Sequence, residues 1–309
     1  MQNLELRDVD ITCFTVFCTA YGVSSIQLNG DSRKHVGPLK RGIARTYYLA
    51  RGESFRSVTL VTGTQPPPYP EKQGFFLIMM TSHGRSLYYG PSCIGSLPNA
   101  RFLNVNQDPT ESVAGIFLDP TTPMLIFRDT IGVTLYQKEP FCHLDTAFSL
   151  PAIRRLEPSS FLSMSDSTWH LTKCRFVNVQ EIQLQKFDER CKGIRVEHQD
   201  SRIEVLGQWD PSNAAATSCV YKSCDGPLSA LVFTYSQTPE PTKRYVKRIE
   251  PVPSIPFRES PPGVFVWHNL ESELAWWFTE YSDHIEAWNG VDETFRIPAT
   301  SQIPPTMGK

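Results

Sequence analysis

A dense group of aromatic and histidine residues lies between residues 267 and 288, which hold four of the six tryptophans. The group consists of Trp267, His268, Trp276, Trp277, Phe278, Tyr281, His284 and Trp288. Aromatic rings can wall a pocket for an apolar or sugar ligand, and a nearby histidine can orient that ligand or transfer a proton. We therefore predict that ligand-binding residues include Trp267, Trp277, Tyr281, His284 and Trp288. His268, beside Trp267 on a predicted strand, is the candidate general acid or base.

The same aromatic residues can instead fill a hydrophobic core, because aromatic side chains are favoured on β-strands. If residues 276–288 form a hairpin, alternation places Trp276 and Phe278 on one face and Trp277 on the other. One face then belongs to the core, and the remaining aromatic side chains line a surface or a pocket.

Metal-binding patterns are missing from the sequence. None of the seven histidines stands at helical spacing from another with a nearby glutamate. Two cysteine pairs share one spacing, Cys13/Cys18 and Cys219/Cys224. Residues five apart on a strand point to opposite faces, and the second pair can meet only across a turn. We predict no bound metal, no structural disulfide and buried free thiols.

Motifs for nucleophilic catalysis and for cofactor binding are also missing. No serine stands in a Gly-x-Ser-x-Gly elbow, and Cys142 and His143 are sequence neighbours, which rarely face each other. No glycine-rich turn leads into a helix, so the usual nucleotide cradle is absent. The sequence predicts no cofactor.

The elements that position these residues are β-hairpins. Apolar runs enter and leave polar turns in segments 23–37, 75–90, 194–207 and 276–288. Such turns between apolar runs are a strong hairpin signal. The first and third segments share a glycine followed by Val or Ile at the start, Asp-Ser-Arg at the turn and a closing glycine, which indicates an internal duplication.

These patterns predict an all-β protein with little helix, built from two related antiparallel β modules. The predicted modules span residues 1–150 and 151–296, and residues 297–309 form a tail. Each module is expected to be a β-prism, β-sandwich or barrel. No window of the sequence keeps helical apolar spacing, which argues against Rossmann and TIM-barrel folds.

The charge distribution argues against nucleic-acid and membrane partners. The formal net charge is −2, and the best basic stretch, residues 243–248, is flanked by glutamates. No segment has about 18 continuous apolar residues, so no membrane span is expected. Acidic residues precede the apolar run 11–23, whereas a signal peptide begins with cationic residues. We expect a cytoplasmic protein.

Several short motifs resemble a large family of uncharacterised fungal proteins. They are Thr19-Ala20-Tyr21-Gly22-Val23-Ser24-Ser25-Ile26, Arg51-Gly52-Glu53-Ser54-Phe55, Tyr88-Tyr89-Gly90-Pro91, Val113-Ala114-Gly115-Ile116-Phe117, Cys191-Lys192-Gly193-Ile194 and Leu206-Gly207-Gln208-Trp209. Many members look like jacalin-type lectin repeats, and many carry an F-box ahead of them. The first predicted strand begins almost at once here, so no F-box is expected. The glycine-rich loop and the Gly-x-Tyr/Trp-x-Asp loop of sugar-binding jacalin domains are missing, so the resemblance assigns sugar binding to no residue.

The leading functional hypothesis is the binding of one organic small molecule in an aromatic-lined pocket shared by two diverged modules. If the protein is catalytic, it is a cofactor-independent cyclase or isomerase, of the pericyclase or Diels-Alderase type, in fungal secondary metabolism. Such an enzyme needs a shaped cavity and few polar groups. The alternatives are a lectin-like carbohydrate-binding protein without catalysis and a protein-interaction module that has lost its F-box.

Overall fold

The computed structural model describes most of the chain but not all of it. The described residues are 2–5, 11–19, 22–30, 34–37, 42–64, 73–90, 101–104, 111–119, 130–137, 147–151, 169–236, 244–254, 261–288 and 292–296. The predicted tail at 297–309 and the Cys142-His143 pair lie outside them. Within these ranges the regular structure is β-strand, apart from two single-turn 3-10 helices at Ala214–Ala216 and Ser223–Asp225. No helix in the described ranges is long and apolar enough to cross a membrane.

The strands alternate with short turns along both halves of the chain. Those of the first half are β1 (Gln2–Glu5), β2 (Ile11–Thr19), β3 (Gly22–Gly30), β4 (Lys34–Val36), β5 (Ile43–Tyr48), β6 (Phe55–Thr64), β7 (Gln73–Thr81), β8 (Ser86–Tyr89), β9 (Arg101–Asn104), β10 (Glu111–Asp119) and β11 (Thr130–Gln137). Those that follow are β12 (Ala147–Pro151), β13 (His170–Arg175), β14 (Val179–Phe187), β15 (Arg190–His198), β16 (Ile203–Gly207), β17 (Thr217–Lys222), β18 (Ala230–Tyr235), β19 (Val246–Val252), β20 (Val264–Trp267), β21 (Glu273–Phe278), β22 (Asp283–Ala287) and β23 (Asp292–Arg296).

The first half is dominated by one eight-stranded sheet. Its main path runs β5-β2-β3-β7-β6-β9, with β4 paired to β3 and β8 paired to β7. A second sheet of three strands has the order β1-β10-β11. Alternating residues of β2 (Phe14, Val16 and Cys18) enter one hydrophobic cluster with residues of β3, β7 and β8. This alternation is why β2 folds as a strand with one face on that core.

The second half places three sheets around one hydrophobic core. Their orders are β16-β15-β14-β17, β13-β21-β22 and β19-β18-β20. Ile194, Trp276 and Phe233, one from each sheet, are fully buried in the same cluster. Three sheets around a shared core is the plan of a β-prism, one of the predicted architectures. The prediction of an all-β protein with little helix is confirmed.

The hairpins predicted from turn residues are present. β3 pairs with β4, β7 with β8, β15 with β16, and β21 with β22, all antiparallel. The turns at Gly84 and Ser201 contain a positive φ, 76° and 65° respectively, as tight hairpin turns require. Polar turn residues therefore identified these elements correctly.

Strand β5 joins the two halves. It forms the edge of the large sheet beside β2, and its residues also bond to the loop after β16. Thr46 Oγ1 donates a 2.6 Å hydrogen bond to the Trp209 carbonyl, and the Trp209 amide donates to the Ala44 carbonyl at 3.3 Å. Arg45 Nη2 donates to the Leu171 carbonyl at 2.9 Å, while Ile43 enters the core of the second half. The predicted boundary at residue 150 falls inside β12, which pairs with β23. The division into two modules stays a prediction.

Candidate functional site

Three of the aromatic residues singled out above are core residues of the second half. Trp276 and Phe278 point into the core of the three sheets and are fully buried. Trp267, a predicted ligand-binding residue, also lies in that core and is 5% exposed. Within the described part of the chain, the Trp267 indole N–H is buried without a hydrogen-bond partner. Core packing, the alternative weighed for this group, accounts for these three side chains.

Trp277 faces the opposite side of the β13-β21-β22 sheet, as alternation predicts. There it packs with Leu171 and Ala275, and with the partly buried Trp169 and Trp288. We call the three tryptophans among them, Trp169, Trp277 and Trp288, the outer aromatic group. The ring centroids of Trp277 and Trp288 are 6.5 Å apart.

Polar partners hold Trp277 of the outer aromatic group in place. The Trp277 indole donates a 2.6 Å hydrogen bond to Glu286 Oε1, and His284 Nε2 lies 3.5 Å from Glu286 Oε2. Burial acts to raise the pKa of Glu286, but the hydrogen bonds from His284 and Trp277 outweigh it and hold this pKa below its usual range. The structure therefore brings Trp277, His284 and Trp288 together, and their ligand-binding role stays a prediction.

His268 and Tyr281 lie apart from that group. His268 is exposed and follows the end of β20, which belongs to a different sheet from Trp277. Tyr281 is 63% exposed in the turn between β21 and β22. Neither residue is enclosed by a described cavity, and the acid–base role of His268 stays a prediction.

An open pocket of about 480 Å³ lies at the junction of the two halves. We call it the junction pocket, and its lining residues are Tyr48, Gln183, Arg195, Trp209, Pro211, Ala214, Thr217 and Cys219. Tyr48 comes from β5, and the others come from β14, β15, β17 and the loop after β16. The predicted ligand-binding residues do not line this pocket.

The aromatic wall of the junction pocket is held rigidly. The Trp209 indole donates a 3.2 Å hydrogen bond to the Tyr48 hydroxyl, and the Arg195 guanidinium carbon lies 5.3 Å from the Tyr48 ring centroid. Burial is the main reason that the pKa of Tyr48 is raised, so its phenol stays protonated and neutral at physiological pH. Because Trp209 bonds to β5 through its backbone as well, this wall also holds the two halves together.

Paired charges leave the junction pocket close to neutral. Arg195 Nη2 donates to Glu197 Oε2 at 3.0 Å, which compensates the guanidinium charge. The Gln183 amide is oriented by a 2.5 Å hydrogen bond to Glu181 Oε1. The pocket thus offers amide, guanidinium and hydroxyl groups beside the Tyr48 ring, while Trp209 is only 3% exposed.

Sequence patterns offered little guidance to this pocket. Trp209 stands in the Leu206-Gly207-Gln208-Trp209 motif, two residues after a closing glycine, and that was its one local signal. Tyr48 is distant in sequence, and only the bonds of β5 to the loop after β16 bring it beside Trp209.

The four cysteines considered for metal binding are free thiols. Cys18 enters the core of the large sheet, and alternation along β2 turns Cys13 to the other face. Cys219 and Cys224 are both exposed, so the prediction of buried thiols is wrong for this pair, and Cys219 lines the junction pocket.

Comparison with known proteins adds only distant similarity. No protein-family model and no curated protein matches the chain. Among solved structures, a prostate-specific WGA16 glycoprotein lectin is similar over 44% of this chain and 89% of its own, with 19% identity and a TM-score of 0.30. The lamprey immune protein is similar over 93% of this chain and 88% of its own, with 9% identity and a TM-score of 0.29. The resemblance to fungal jacalin-like proteins stays a prediction, and function must be argued from the residues.

Proposed function

We propose that the protein binds one small, neutral, hydroxyl-bearing organic molecule, of the carbohydrate class, in the junction pocket. The observation that carries this proposal is the pairing of a fixed aromatic ring, Tyr48 held by the buried Trp209, with hydrogen-bonding groups in a charge-compensated pocket. A volume of about 480 Å³ lies in the range of small-molecule sites, which span roughly 300–1,000 Å³.

The chemistry of the lining residues supports a neutral ligand. An anionic ligand would compete with Glu197 for Arg195, and a cationic ligand would find no carboxylate among the eight described lining residues. Gln183 and Thr217 carry groups that both donate and accept hydrogen bonds, which suits hydroxyl groups. The Tyr48 ring gives apolar contact at a small cost in conformational entropy.

Catalysis by a cyclase or isomerase is a narrower form of the same proposal. The described lining residues include no histidine and no carboxylate, so proton transfer in this pocket would fall to Tyr48, whose pKa is raised by burial, or to Cys219. A reaction here would depend mainly on the bound conformation of the substrate and on hydrogen bonds. Turnover of a bound small molecule would support the narrower form, and binding without turnover would support the lectin-like alternative.

The experiment is a glycan array and a ligand-observed NMR screen of mono- and disaccharides, followed by titration of each hit. Gln183→Leu and Thr217→Val remove hydrogen-bonding groups at similar volume, and each should weaken binding about tenfold or more. Far-UV circular dichroism checks that both variants fold.

Trp288→Phe in the outer aromatic group is the matched control. It should leave affinity unchanged, because Trp288 does not line the junction pocket. If Trp288→Phe abolishes binding while Gln183→Leu does not, the ligand binds at the outer aromatic group and the proposed site is wrong. If no member of either screen binds, the carbohydrate class is wrong.

A further inference from the structure

Three side chains with metal-ligating atoms converge where β13 meets the β15–β16 hairpin. Cys174 Sγ, His198 Nε2 and a Glu204 carboxylate oxygen all lie within 4.8 Å of one another. Glu204 Oε2 is 3.3 Å from Cys174 Sγ and 3.2 Å from His198 Nε2. Cys174 and His198 are almost fully buried, and Glu204 is 25% exposed.

The orientation of His198 leaves a place for a positive charge. Its Nδ1 lies 2.8 Å from the Val177 carbonyl, which can only accept, so Nδ1 carries a proton and donates it. In the neutral ring Nε2 then presents a lone pair, and it faces the carboxylate oxygen Glu204 Oε2 at 3.2 Å. Two acceptors that face each other at this distance need a proton or a metal ion between them.

Two of the three separations between ligand atoms match a tetrahedral metal site, and the third, from Cys174 Sγ to His198 Nε2, is within 4.8 Å. With zinc–ligand bonds of about 2.3 Å to sulfur and about 2.0 Å to nitrogen and oxygen, adjacent ligand atoms lie about 3.5 Å apart for S and O and about 3.3 Å apart for N and O. The observed separations of 3.3 Å and 3.2 Å are close to both values. The hydrogen bond from His198 Nδ1 to a backbone carbonyl is the usual outer-shell bond of a metal-ligating histidine.

Neighbouring groups orient the third ligand, Glu204, and the site can be reached from solvent. Arg202 Nη1 donates to Glu204 Oε1 at 2.5 Å, which leaves Oε2 directed at the other two ligands. The Arg175 amide also donates to Oε2, at 3.4 Å. Because Glu204 is partly exposed, an ion can enter from solvent, and the thiolate and carboxylate together balance two positive charges.

In place of the sequence-based prediction of no bound metal, we propose that Cys174, His198 and Glu204 bind one zinc ion, with a water molecule as the fourth ligand. Sulfur, imidazole and carboxylate ligands favour zinc over magnesium or calcium, which take oxygen ligands. Three protein ligands and one water is the coordination of zinc sites that retain an open position. The site is separate from the junction pocket, so it does not depend on the proposed carbohydrate ligand.

The test adds cobalt(II), a spectroscopic substitute for zinc, to the metal-free full-length chain. We expect one equivalent to bind with a thiolate-to-cobalt charge-transfer band in the near ultraviolet, and zinc to displace it. Cys174→Ser should abolish this band and weaken zinc binding more than about 100-fold, since loss of an outer-shell partner alone costs roughly 10–100-fold. Glu204→Gln changes a partly exposed residue at constant shape, and should weaken binding at least about tenfold while the band remains.

The double variant Cys219→Ser/Cys224→Ser is the matched control, because it removes two exposed thiols elsewhere. It should keep both the band and the affinity. A band that survives Cys174→Ser, or one that disappears in the control, would overturn the proposal. Failure of the folded wild-type chain to bind cobalt or zinc would also overturn it, and would place a proton between His198 and Glu204.

Discussion

At the scale of single residues, Asp283 shows how one buried carboxylate connects several strands. Its side chain is inaccessible to solvent and accepts hydrogen bonds from Arg190 Nε at 3.0 Å and Nη2 at 2.7 Å. The Val246 amide and the Trp276 indole each donate to it at 3.0 Å. Strands β15, β19, β21 and β22 therefore meet around one charge pair.

Asp283→Asn should destabilise the protein by about 3–5 kcal/mol, because it leaves the Arg190 guanidinium buried without its counter-charge. Chemical denaturation measures the change in the free energy of unfolding. Glu189→Gln is the matched control, since the Lys247–Glu189 pair at 3.0 Å is exposed, and it should cost less than about 1 kcal/mol. Equal costs for the two variants would contradict the prediction.

His170 makes stability sensitive to acid. It is buried against Phe278, with ring centroids 5.8 Å apart. Burial, and then the positive charge of Arg45, lower the pKa of His170 to about 3, despite a hydrogen bond to the Gly90 backbone that raises it. The unfolded chain binds a proton near pH 6.5, whereas the folded chain does not, so this contribution to stability is lost as pH falls from about 6.5 towards 3.

We predict that the wild-type free energy of unfolding falls by about 2 kcal/mol more between pH 7 and pH 5 than that of His170→Gln. Denaturation curves at both pH values measure this difference. For each protein, only the change in the free energy of unfolding between pH 7 and pH 5 is compared. Any cost of His170→Gln that does not depend on pH therefore cancels. An identical pH dependence in the two proteins would show that His170 is protonated as easily when folded as when unfolded.

At the scale of elements, close backbone approach explains the closing glycines of the β3–β4 and β15–β16 hairpins. Gly37 and Gly207 both have a positive φ, 91° and 86°. A Cβ atom at Gly37 would lie 2.5 Å from the Ser24 carbonyl oxygen, and one at Gly207 would lie 2.7 Å from that of Lys192. Both positions need glycine for conformation and for space.

Gly207→Ala should therefore cost about 1–3 kcal/mol more than Gly263→Ala. Gly263 also has a positive φ, 78°, but a Cβ atom there would have no described neighbour within 4 Å, so alanine meets conformational strain alone. Thermal or urea denaturation of the two variants gives the comparison. Equal costs would mean that the backbone around Gly207 moves aside freely.

The strands and hairpins could be predicted wherever their sequence signals come from neighbouring residues. Turn residues between apolar runs identified the hairpins, and simple alternation separated Trp276 from Trp277. The junction pocket was missed because strand β5 brings Tyr48 to partners that are remote in sequence. Of the proposed zinc ligands, His198 and Glu204 flank a predicted turn. They share one face of the hairpin because Glu204 pairs with Val196, two residues from His198 on β15. Cys174 had no signal, because tertiary packing alone places it there.

At the scale of the whole molecule, the two halves share buried contacts. Ile43 of β5 lies in the core of the second half, and Arg45 and Thr46 donate hydrogen bonds to backbone carbonyls there. Buried polar groups are costly to expose, and separation of the halves would also uncover part of a core. The junction therefore ties the stability of one half to that of the other.

We predict that both halves unfold in one transition. All six tryptophans lie between residues 169 and 288, so tryptophan fluorescence reports mainly on the second half and, through Trp209, on its contact with Tyr48, while far-UV circular dichroism reports on both halves. The two thermal curves should coincide, as they do for a two-state transition. Dichroism that changes at a temperature where fluorescence does not would show that the first half unfolds independently.

The pairing of β13 with β21 sets when the second half can fold during synthesis. His170 pairs with Phe278, and β21 is the described partner of β13 within its sheet. At about 5–20 residues per second, the ribosome needs roughly 5–20 s to make the roughly 100 residues between them. The hairpins of β14 to β17 can form in that interval, and β13 can pack against β16 through Cys174 and Thr172, but its strand pairing within the sheet must wait until β21 has been made.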